Sequence, residues 1–228
     1  WDHTKSQYHS WVSQEGFDLI LPKVETTNQS VEVVINHQKV KVGIGIHDSS
    51  AALVPYLHQS TKPFILLSTG TWSVCMNPFY QGNLSNEDLS MGCLHYLRTD
   101  GKTVRAGRIM LGDEHAKQVA FLTTRYGVAD DYYKKCRFDE RLFTRLSASD
   151  QYYFTFHTFG IERVVLGDLE QLRDFETGYT QLMIELVTCQ IQNIRLVMGD
   201  SAIERIYIDG GFVDNELFLN IMERMLDG

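Results

Sequence analysis

The sequence has 228 residues, four cysteines and a formal net charge of −8 at pH 7. A chain of this length can bury the core of one large domain or of two small ones. Its acidic balance argues against a nucleic-acid partner, because affinity for nucleic acid comes mainly from Lys and Arg side chains that neutralise phosphates. No apolar run approaches the roughly 20 residues that a membrane helix needs, and no signal peptide is recognisable near Trp1.

The four cysteines are Cys75, Cys93, Cys136 and Cys189. They lie far apart in the sequence and form no pair with the spacing of metal ligands. In a chain of this size such cysteines are typical of free, buried thiols in a cytosolic protein. We therefore expect a cytoplasmic location, no disulfide and no zinc site.

The first sixty residues predict two helices with a hairpin between them. Residues 4–14 place apolar side chains on one helical face before Gly16, which is a helix stop signal. The β-branched runs 31–35 and 40–46 flank a polar turn and indicate a β-hairpin. The second run continues to a carboxylate, as a buried strand does when it delivers a functional group to a cleft. Residues 49–56 then predict a helix.

A second hairpin follows. Residues 64–67 and 72–76 form two apolar arms around Thr69, Gly70 and Thr71, so these three residues are predicted to form the hairpin tip. Glycine at such a tip supplies backbone angles that other residues avoid. Exposed amides and threonine hydroxyls there can hold phosphate oxygens.

The middle of the chain is less regular than its ends. Residues 116–126 predict a helix, residues 130–135 predict an exposed surface segment, and residues 152–156 alternate weakly, as a strand would. The sequence Gly112-Asp113-Glu114-His115 contains metal-ligating residue types. Adjacent side chains do not converge easily on one ion, so we interpret this stretch as a loop or a helix start.

The last quarter of the chain has the pattern of an α/β unit. Apolar positions recur at helical spacing over residues 174–198 and predict a long packed helix. A strand over residues 203–209, then Gly210 and Gly211, then an amphipathic helix over residues 217–226 complete the pattern.

Three motifs in this order resemble the FGGY carbohydrate kinases. They are HDSSAA at 47–52, LLSTGTWS at 66–73 and IDGGFVDNELF at 208–218. The closest resemblance is to the branch that contains the kinases of rhamnulose and fuculose. The resemblance implies an α/β fold of two ribonuclease-H-like lobes, as in actin-like ATPases, which close on ATP and a sugar.

The resemblance covers the C-terminal portion of that family. It implies that residues 1–58 are the end of the first, sugar-binding lobe and that residues 59–228 are the second, nucleotide-binding lobe, incomplete at its C-terminus. The Asp-x-Gly-Thr phosphate loop that opens the family's first lobe does not occur in this sequence. We therefore expect the 228 residues to be inactive as a kinase by themselves.

By the same resemblance, Asp48 is the general base that accepts the proton of the sugar hydroxyl. From the residues alone, Asp48 is equally well explained as a cap of the helix that begins at Ser49. His47 would line the sugar pocket, although an isolated histidine is at least as often structural.

The nucleotide contacts implied by the resemblance come from two turns. Thr69, Gly70 and Thr71 would meet the phosphates. Gly210 and Gly211 would meet the adenosine, because the absence of side chains lets a purine or ribose lie against the backbone.

Asn215 would hydrogen-bond the base; its alternative role is to cap the last helix. Trp72 is predicted to be a core residue. We assign no residue as a metal ligand, because Mg²⁺ would arrive with ATP and be held mainly by phosphates and water.

The function predicted is therefore an ATP-dependent kinase of a small sugar, a ketose such as rhamnulose, fuculose or xylulose. Two other classes remain open: an actin-like ATPase that needs no sugar, and a catalytically silent protein that kept the fold. The sequence does not fix the sugar or the oligomeric state.

Overall fold

The computed structural model describes residues 1–149, 151–156 and 165–226. Within these ranges the strands are β1 (Ser30–Ile35), β2 (Gln38–Gly43), β3 (Phe64–Thr69), β4 (Ser73–Asn77), β5 (Leu94–Leu97), β6 (Thr103–Ile109) and β7 (Arg205–Gly210). The helices are α1 (Ser10–Gln14), α2 (Asp48–Gln59), α3 (Asn86–Ser90), α4 (Leu111–Tyr126), α5 (Glu140–Ser147), α6 (Phe175–Met198) and α7 (Glu216–Leu226). The protein has a mixed α/β fold, as the alternation of apolar strands and amphipathic helices predicts.

Five strands form one sheet in the order β5-β6-β4-β3-β7. Strands β3, β4, β6 and β5 pair antiparallel, whereas β7 pairs parallel with β3, from Phe64 opposite Arg205 to Thr69 opposite Gly210. The predicted hairpin of β3 and β4 and the predicted strand β7 are therefore confirmed. Because β3 and β7 run in the same direction, the turns that follow them lie at one edge of the sheet.

One face of this sheet carries the larger core. Helix α6 packs against α4, α7 and strands β4 and β6, and nearly its whole length is buried. Its apolar residues Leu182, Leu186 and Ile194 belong to one buried cluster with Leu122 of α4 and Phe218 of α7. The long helix predicted over residues 174–198 is thus confirmed, and it forms the centre of the molecule.

The other face is covered by α2. Leu53 is fully buried against Phe64 and other side chains of the sheet. The helix crosses the strands, since Tyr56 contacts Tyr207 of β7 and His47, just before the helix, stacks on Tyr96 of β5. The start of α2 therefore lies above the β5 edge of the sheet.

The β1–β2 hairpin forms a separate two-stranded sheet. Its turn residues Asn36 and His37 have φ of 50° and 64°, the left-handed conformation of a tight two-residue hairpin. The predicted hairpin is confirmed. The buried strand predicted to lead up to Asp48 is wrong, because β2 ends at Gly43 and all of its residues are exposed.

Two further expectations need correction. The first helix is confined to Ser10–Gln14, and residues 152–156 form no strand. Tyr152 makes a single bridge to Val165. The backbone amides of Tyr153 and Phe154 instead donate to the carboxylate of Glu185, at 2.8 and 3.2 Å. These two amides are therefore satisfied by a buried carboxylate and not by the backbone of a neighbouring strand.

All four cysteines are buried and free, as predicted. Among the described residues, no helix combines the length and the apolar composition that crossing a membrane requires.

Candidate functional site

The two turns predicted to bind a nucleotide meet at the end of the sheet. The amide of Gly211 donates to the carbonyl oxygen of Thr69 at 2.7 Å, and the amide of Phe212 donates to the hydroxyl of Thr69 at 3.1 Å. Thr69 is only 4% exposed. Its side chain therefore holds the two turns together and does not face a ligand.

The two glycines of the second turn differ in their surroundings. Gly210 has φ +86°, and a Cβ atom at this position would lie 1.9 Å from the carbonyl oxygen of Thr69. A Cβ on Gly211 would meet only that oxygen, at 4.0 Å. Gly210 is thus required by the fold, whereas Gly211 leaves open space beside the backbone.

Helix α4 begins against the tip of the β3–β4 hairpin. The amides of Gly112 and Asp113 both donate to the carbonyl oxygen of Thr71, at 3.1 and 3.2 Å. A Cβ on Gly112 would approach the carbonyl oxygen of Gly70 to 2.1 Å. The interpretation of 112–115 as a helix start is confirmed, and the structure adds that this start is bound to the predicted phosphate turn.

A cavity of about 740 Å³ opens between these elements. Gly70, Thr71, Gly211 and Asn215 line it, whereas Thr69 and Gly210 lie behind its wall. The other lining residues are Gly112, Asp113, His115, Ala116, Tyr133, Lys134, Cys136, Arg137, Phe212, Asp214 and Glu216. A cavity of this size suits a small molecule or cofactor.

A chain of polar side chains joins the lining residues Asn215 and His115 through Tyr179, which is buried behind the wall of the cavity. The amide nitrogen of Asn215 donates to the hydroxyl of Tyr179 at 2.9 Å, and this hydroxyl shares a 3.0 Å hydrogen bond with Nε2 of His115. Burial lowers the pKa of His115 to about 4 and raises the pKa of Tyr179. Both groups are therefore neutral at pH 7.

Asn215 also caps α7, because its Oδ1 atom accepts the amide of Phe218 at 3.1 Å. The capping alternative for this residue is thus realised. The same residue lines the cavity, so its predicted contact with a base stays a prediction.

The rim of the cavity carries both signs of charge. Arg137 lies 3.4 Å from Glu216, and Asp113 forms a 2.6 Å ion pair with Lys117. The charged residues of 130–135 are exposed, as expected for a surface segment, and the structure adds that Tyr133 and Lys134 line this cavity. No local pattern could predict this, because the segment reaches the site through packing against residues far along the chain, such as Tyr179.

His47 and Asp48 lie at a different place. Asp48 is the first residue of α2, and its side chain is 93% exposed. Its Oδ1 atom accepts the amide of Ser49 at 2.6 Å and lies 3.0 Å from Nδ1 of His47. His47 lines a second cavity of about 520 Å³ together with Trp1, His3, His95 and Tyr96.

Asp48 lines neither cavity. The structure brings the two nucleotide motifs together but does not bring Asp48 into contact with them. The assignments of Asp48 as base and of His47 as a sugar contact stay predictions.

Trp72 departs from its predicted core position. It is 39% exposed, with the guanidinium of Arg108 5.2 Å from its ring centre. The hairpin tip turns its side chain away from both cores, where an arginine can stack on it. Asp209, at the end of β7, accepts the amide of Gly210 at 2.7 Å through Oδ1.

Among the described residues, no three His, Cys, Asp or Glu side chains are grouped so that they could hold a metal ion. The carboxylates of Asp113 and Asp214 do line the large cavity.

No protein-family model and no curated protein matches the sequence, but solved structures match the fold. A carbohydrate kinase from Novosphingobium aromaticivorans aligns with a TM-score of 0.68 and 17% identity, over 97% of this chain and 49% of that chain. A xyloylose kinase from Brucella ovis aligns with a TM-score of 0.61 and 13% identity, over 91% and 43%. For a xylulose kinase from Rhodospirillum rubrum the values are 0.51 and 11%, over 81% and 37%.

These similarities establish the fold: the chain shares a mixed α/β architecture, part of the actin-like ATPase fold, with sugar kinases. The chain spans about half of the length of the first of these structures and less of the others. A shared fold does not by itself establish an activity.

Proposed function

We propose that this chain is the nucleotide-binding portion, with the adjoining end of the sugar-binding lobe, of an ATP-dependent FGGY carbohydrate kinase. The observation that carries the proposal is the parallel pairing of β3 with β7. It joins the Thr69–Thr71 turn to the Gly210–Gly211 turn at the mouth of a cavity of about 740 Å³. In open α/β sheets, ligands bind beyond the carboxyl ends of the strands.

The placement of the residues supports a division of roles. Thr71 and Gly70 would lie against the phosphates, and Gly211 would let the adenosine approach the backbone. Thr69 and Gly210 would hold the two turns in register. Lys134 and Arg137 at the rim supply positive charge for the phosphates, and such charge is most effective where water is partly excluded.

Asp48 is proposed as the general base, and His47 as a sugar contact beside it. Full exposure leaves the Asp48 carboxylate accessible to a substrate that approaches from outside this chain. Because Asp48 does not line the nucleotide cavity, transfer would require closure of the two lobes to bring the sugar hydroxyl to the γ-phosphate. Mg²⁺ bound mostly by the phosphates and water would neutralise their charge.

We keep the proposed division into residues 1–58 and 59–228. Helix α2, apart from its last residue Gln59, then belongs to the first unit, while its Leu53 packs on the sheet of the second. Helix α2 begins at Asp48, the proposed general base, and packs on the nucleotide-binding unit. It would therefore couple the position of Asp48 to that unit.

The sugar is proposed to be a ketose. The amino-acid sequences of the motifs at 47–52 and 66–73 favour rhamnulose or fuculose as the substrate, with xylulose next. Two of the structural neighbours are described as kinases of xylulose or xyloylose, which keeps xylulose among the candidates. An ATPase that needs no sugar is the alternative from another class.

Calorimetric titration of this chain with ATP and Mg²⁺, with adenosine as a comparison, tests the nucleotide site directly. We expect ATP to bind and adenosine to bind more weakly, because the phosphates contribute contacts at the Thr71 turn. Binding of neither compound would overturn the proposal.

The reaction is tested by ADP release with a panel of ketoses, aldoses and polyols, measured on this chain and on a longer chain that contains it. A sugar kinase releases ADP only with its sugar, whereas an ATPase releases it without one. Preference for glycerol or an aldonate would overturn the ketose assignment alone.

A further inference from the structure

The polar chain in the wall of the large cavity links the two helices that follow the nucleotide turns. His115 lies in the first turns of α4, whose opening amides bind the carbonyl oxygen of Thr71. Asn215 lies at the start of α7, directly after the Gly210–Gly211 turn. Tyr179 of α6 lies between them and bonds to both.

The direction of these hydrogen bonds follows from the cap. Asn215 presents its oxygen to the amide of Phe218, so its nitrogen is the atom that faces Tyr179 and donates to it. A hydroxyl that accepts from Asn215 has its own proton left to donate to Nε2 of His115. This requires His115 to be neutral with its proton on Nδ1, and its partly buried position favours the neutral form.

The surroundings of this chain hold it in place. Tyr179 is 1% exposed and stacks on Phe175, with 5.8 Å between ring centres. His115 meets the rings of Tyr133 and Phe212 edge to face, at 5.2 and 5.3 Å. The polar atoms therefore have few alternative arrangements.

We propose that His115 and Tyr179 are positioning residues of the nucleotide site: they fix Asn215, and through it the distance between the start of α4 and the start of α7 across the cavity. This inference rests on the proposed function, because it assigns the two residues to the same site. They act on the ligand through the helix starts and the turns, not by touching the reacting phosphate.

The test compares three variants of the polar chain, and one control variant, with the unmodified chain. Tyr179→Phe removes only the hydroxyl and keeps the stacked ring. His115→Phe removes the hydrogen bond, and His115→Gln restores one, since the amide of Gln reaches the position of Nε2. Tyr126→Phe is the matched control, because its hydroxyl bonds to the carbonyl of Leu172 outside the cavity lining.

We expect Tyr179→Phe and His115→Phe to raise the dissociation constant of ATP about threefold to tenfold, the effect of one lost hydrogen bond. His115→Gln and Tyr126→Phe should stay close to the unmodified chain. Equal ATP affinity for Tyr179→Phe and Tyr126→Phe, or an equal loss for His115→Gln and His115→Phe, would overturn the proposal.

Amide hydrogen exchange without nucleotide separates this inference from the proposed function. Tyr179→Phe should speed exchange at Phe218, whose amide bonds to Asn215, and at Gly112 and Asp113, whereas Tyr126→Phe should not. Unchanged exchange at these amides would overturn the positioning role even if ATP binds. Faster exchange in a chain that binds no ATP would support the link between the helices and overturn the nucleotide site.

Discussion

Two regions of this molecule have similar sequence patterns but differ in structure. They are the end of β3 at Thr69, called the Thr69 end, and the segment from β2 to Asp48, called the Asp48 end. At the Thr69 end, an apolar run stops at a polar turn and is bonded to a parallel neighbour, a helix start and a second turn. At the Asp48 end, an apolar run also precedes a polar motif, but β2 belongs to an exposed two-stranded sheet. The turn after a strand has a fixed geometry, as a binding site needs, when neighbouring strands and helices are bonded to it.

This difference separates two kinds of prediction. Substitutions at the Thr69 end should change the free energy of unfolding, the affinity for the nucleotide, or both. Changes at Asp48 should leave both unaltered and act only on turnover, because its side chain is almost fully in water.

The largest effect is expected at Asp48. In a chain that shows sugar-dependent ADP release, Asp48→Asn should lower turnover about 10²- to 10⁴-fold, the usual contribution of a general base. ATP affinity and the melting temperature should change little. Asp200→Asn serves as a control at another exposed aspartate. Near-normal turnover of Asp48→Asn would remove the base assignment.

A large loss of stability is expected at Gly210. Valine there must adopt φ near +86° with its Cβ against the carbonyl oxygen of Thr69, so we expect the free energy of unfolding to fall by about 3 kcal/mol. Gly43→Val at the exposed end is the control, because a Cβ there would meet nothing within 4 Å. Urea denaturation of both variants measures the difference. Equal free energies of unfolding for the two variants would mean that the Gly210 turn can move away from the carbonyl oxygen of Thr69 at little cost.

A smaller and more selective effect is expected at Gly211. Its Cβ position is open towards the cavity, so Gly211→Val should fold normally but crowd the adenosine. We expect the Michaelis constant for ATP to rise more than that for the sugar, by about tenfold if one or two kcal/mol of contact is lost. Loss of sugar binding with unaltered ATP binding would mean that the turn serves the other substrate.

The parts of the fold that were predictable are those with local signals. The β3–β4 hairpin, α6 and the unit of β7 and α7 each have a hydrophobic period and end at glycine or a polar turn. The parallel pairing that joins Thr69 to Gly210 could be expected only from the family resemblance, since residues 141 positions apart carry no local signal of their contact.

Two features of the site were not predictable from the sequence. The segment around Tyr133 looks like a charged surface, and it reaches the cavity only because its rings pack on His115 and Tyr179. The start of α4 is also held by a contact without a local signal, since the carbonyl oxygen of Thr71 accepts the amides of Gly112 and Asp113. Both depend on long-range contacts that override local propensity.

The smallest effect expected is in the pH dependence of stability. Burial lowers the pKa of His115 to about 4, while an unfolded histidine titrates near 6.5. Between these values the unfolded chain binds the proton and the folded chain does not, so stability is full above pH 6.5 and is lost as the pH falls towards 4.

His115→Gln should reduce the slope of the unfolding free energy against pH in this window by at most about 1.4 kcal/mol per pH unit, the equivalent of one proton. Part of the slope will remain, because burial, His3 and Arg105 also lower the pKa of His95 to about 4. His58→Gln is the control, since that ring is exposed to water in the folded chain as it is in the unfolded one. Urea denaturation at a series of pH values from 4 to 7 measures the slopes. Identical slopes for His115→Gln and His58→Gln would mean that His115 is as exposed to water as His58. The contrast between the packed Thr69 end and the exposed Asp48 would then be weaker than the structure indicates.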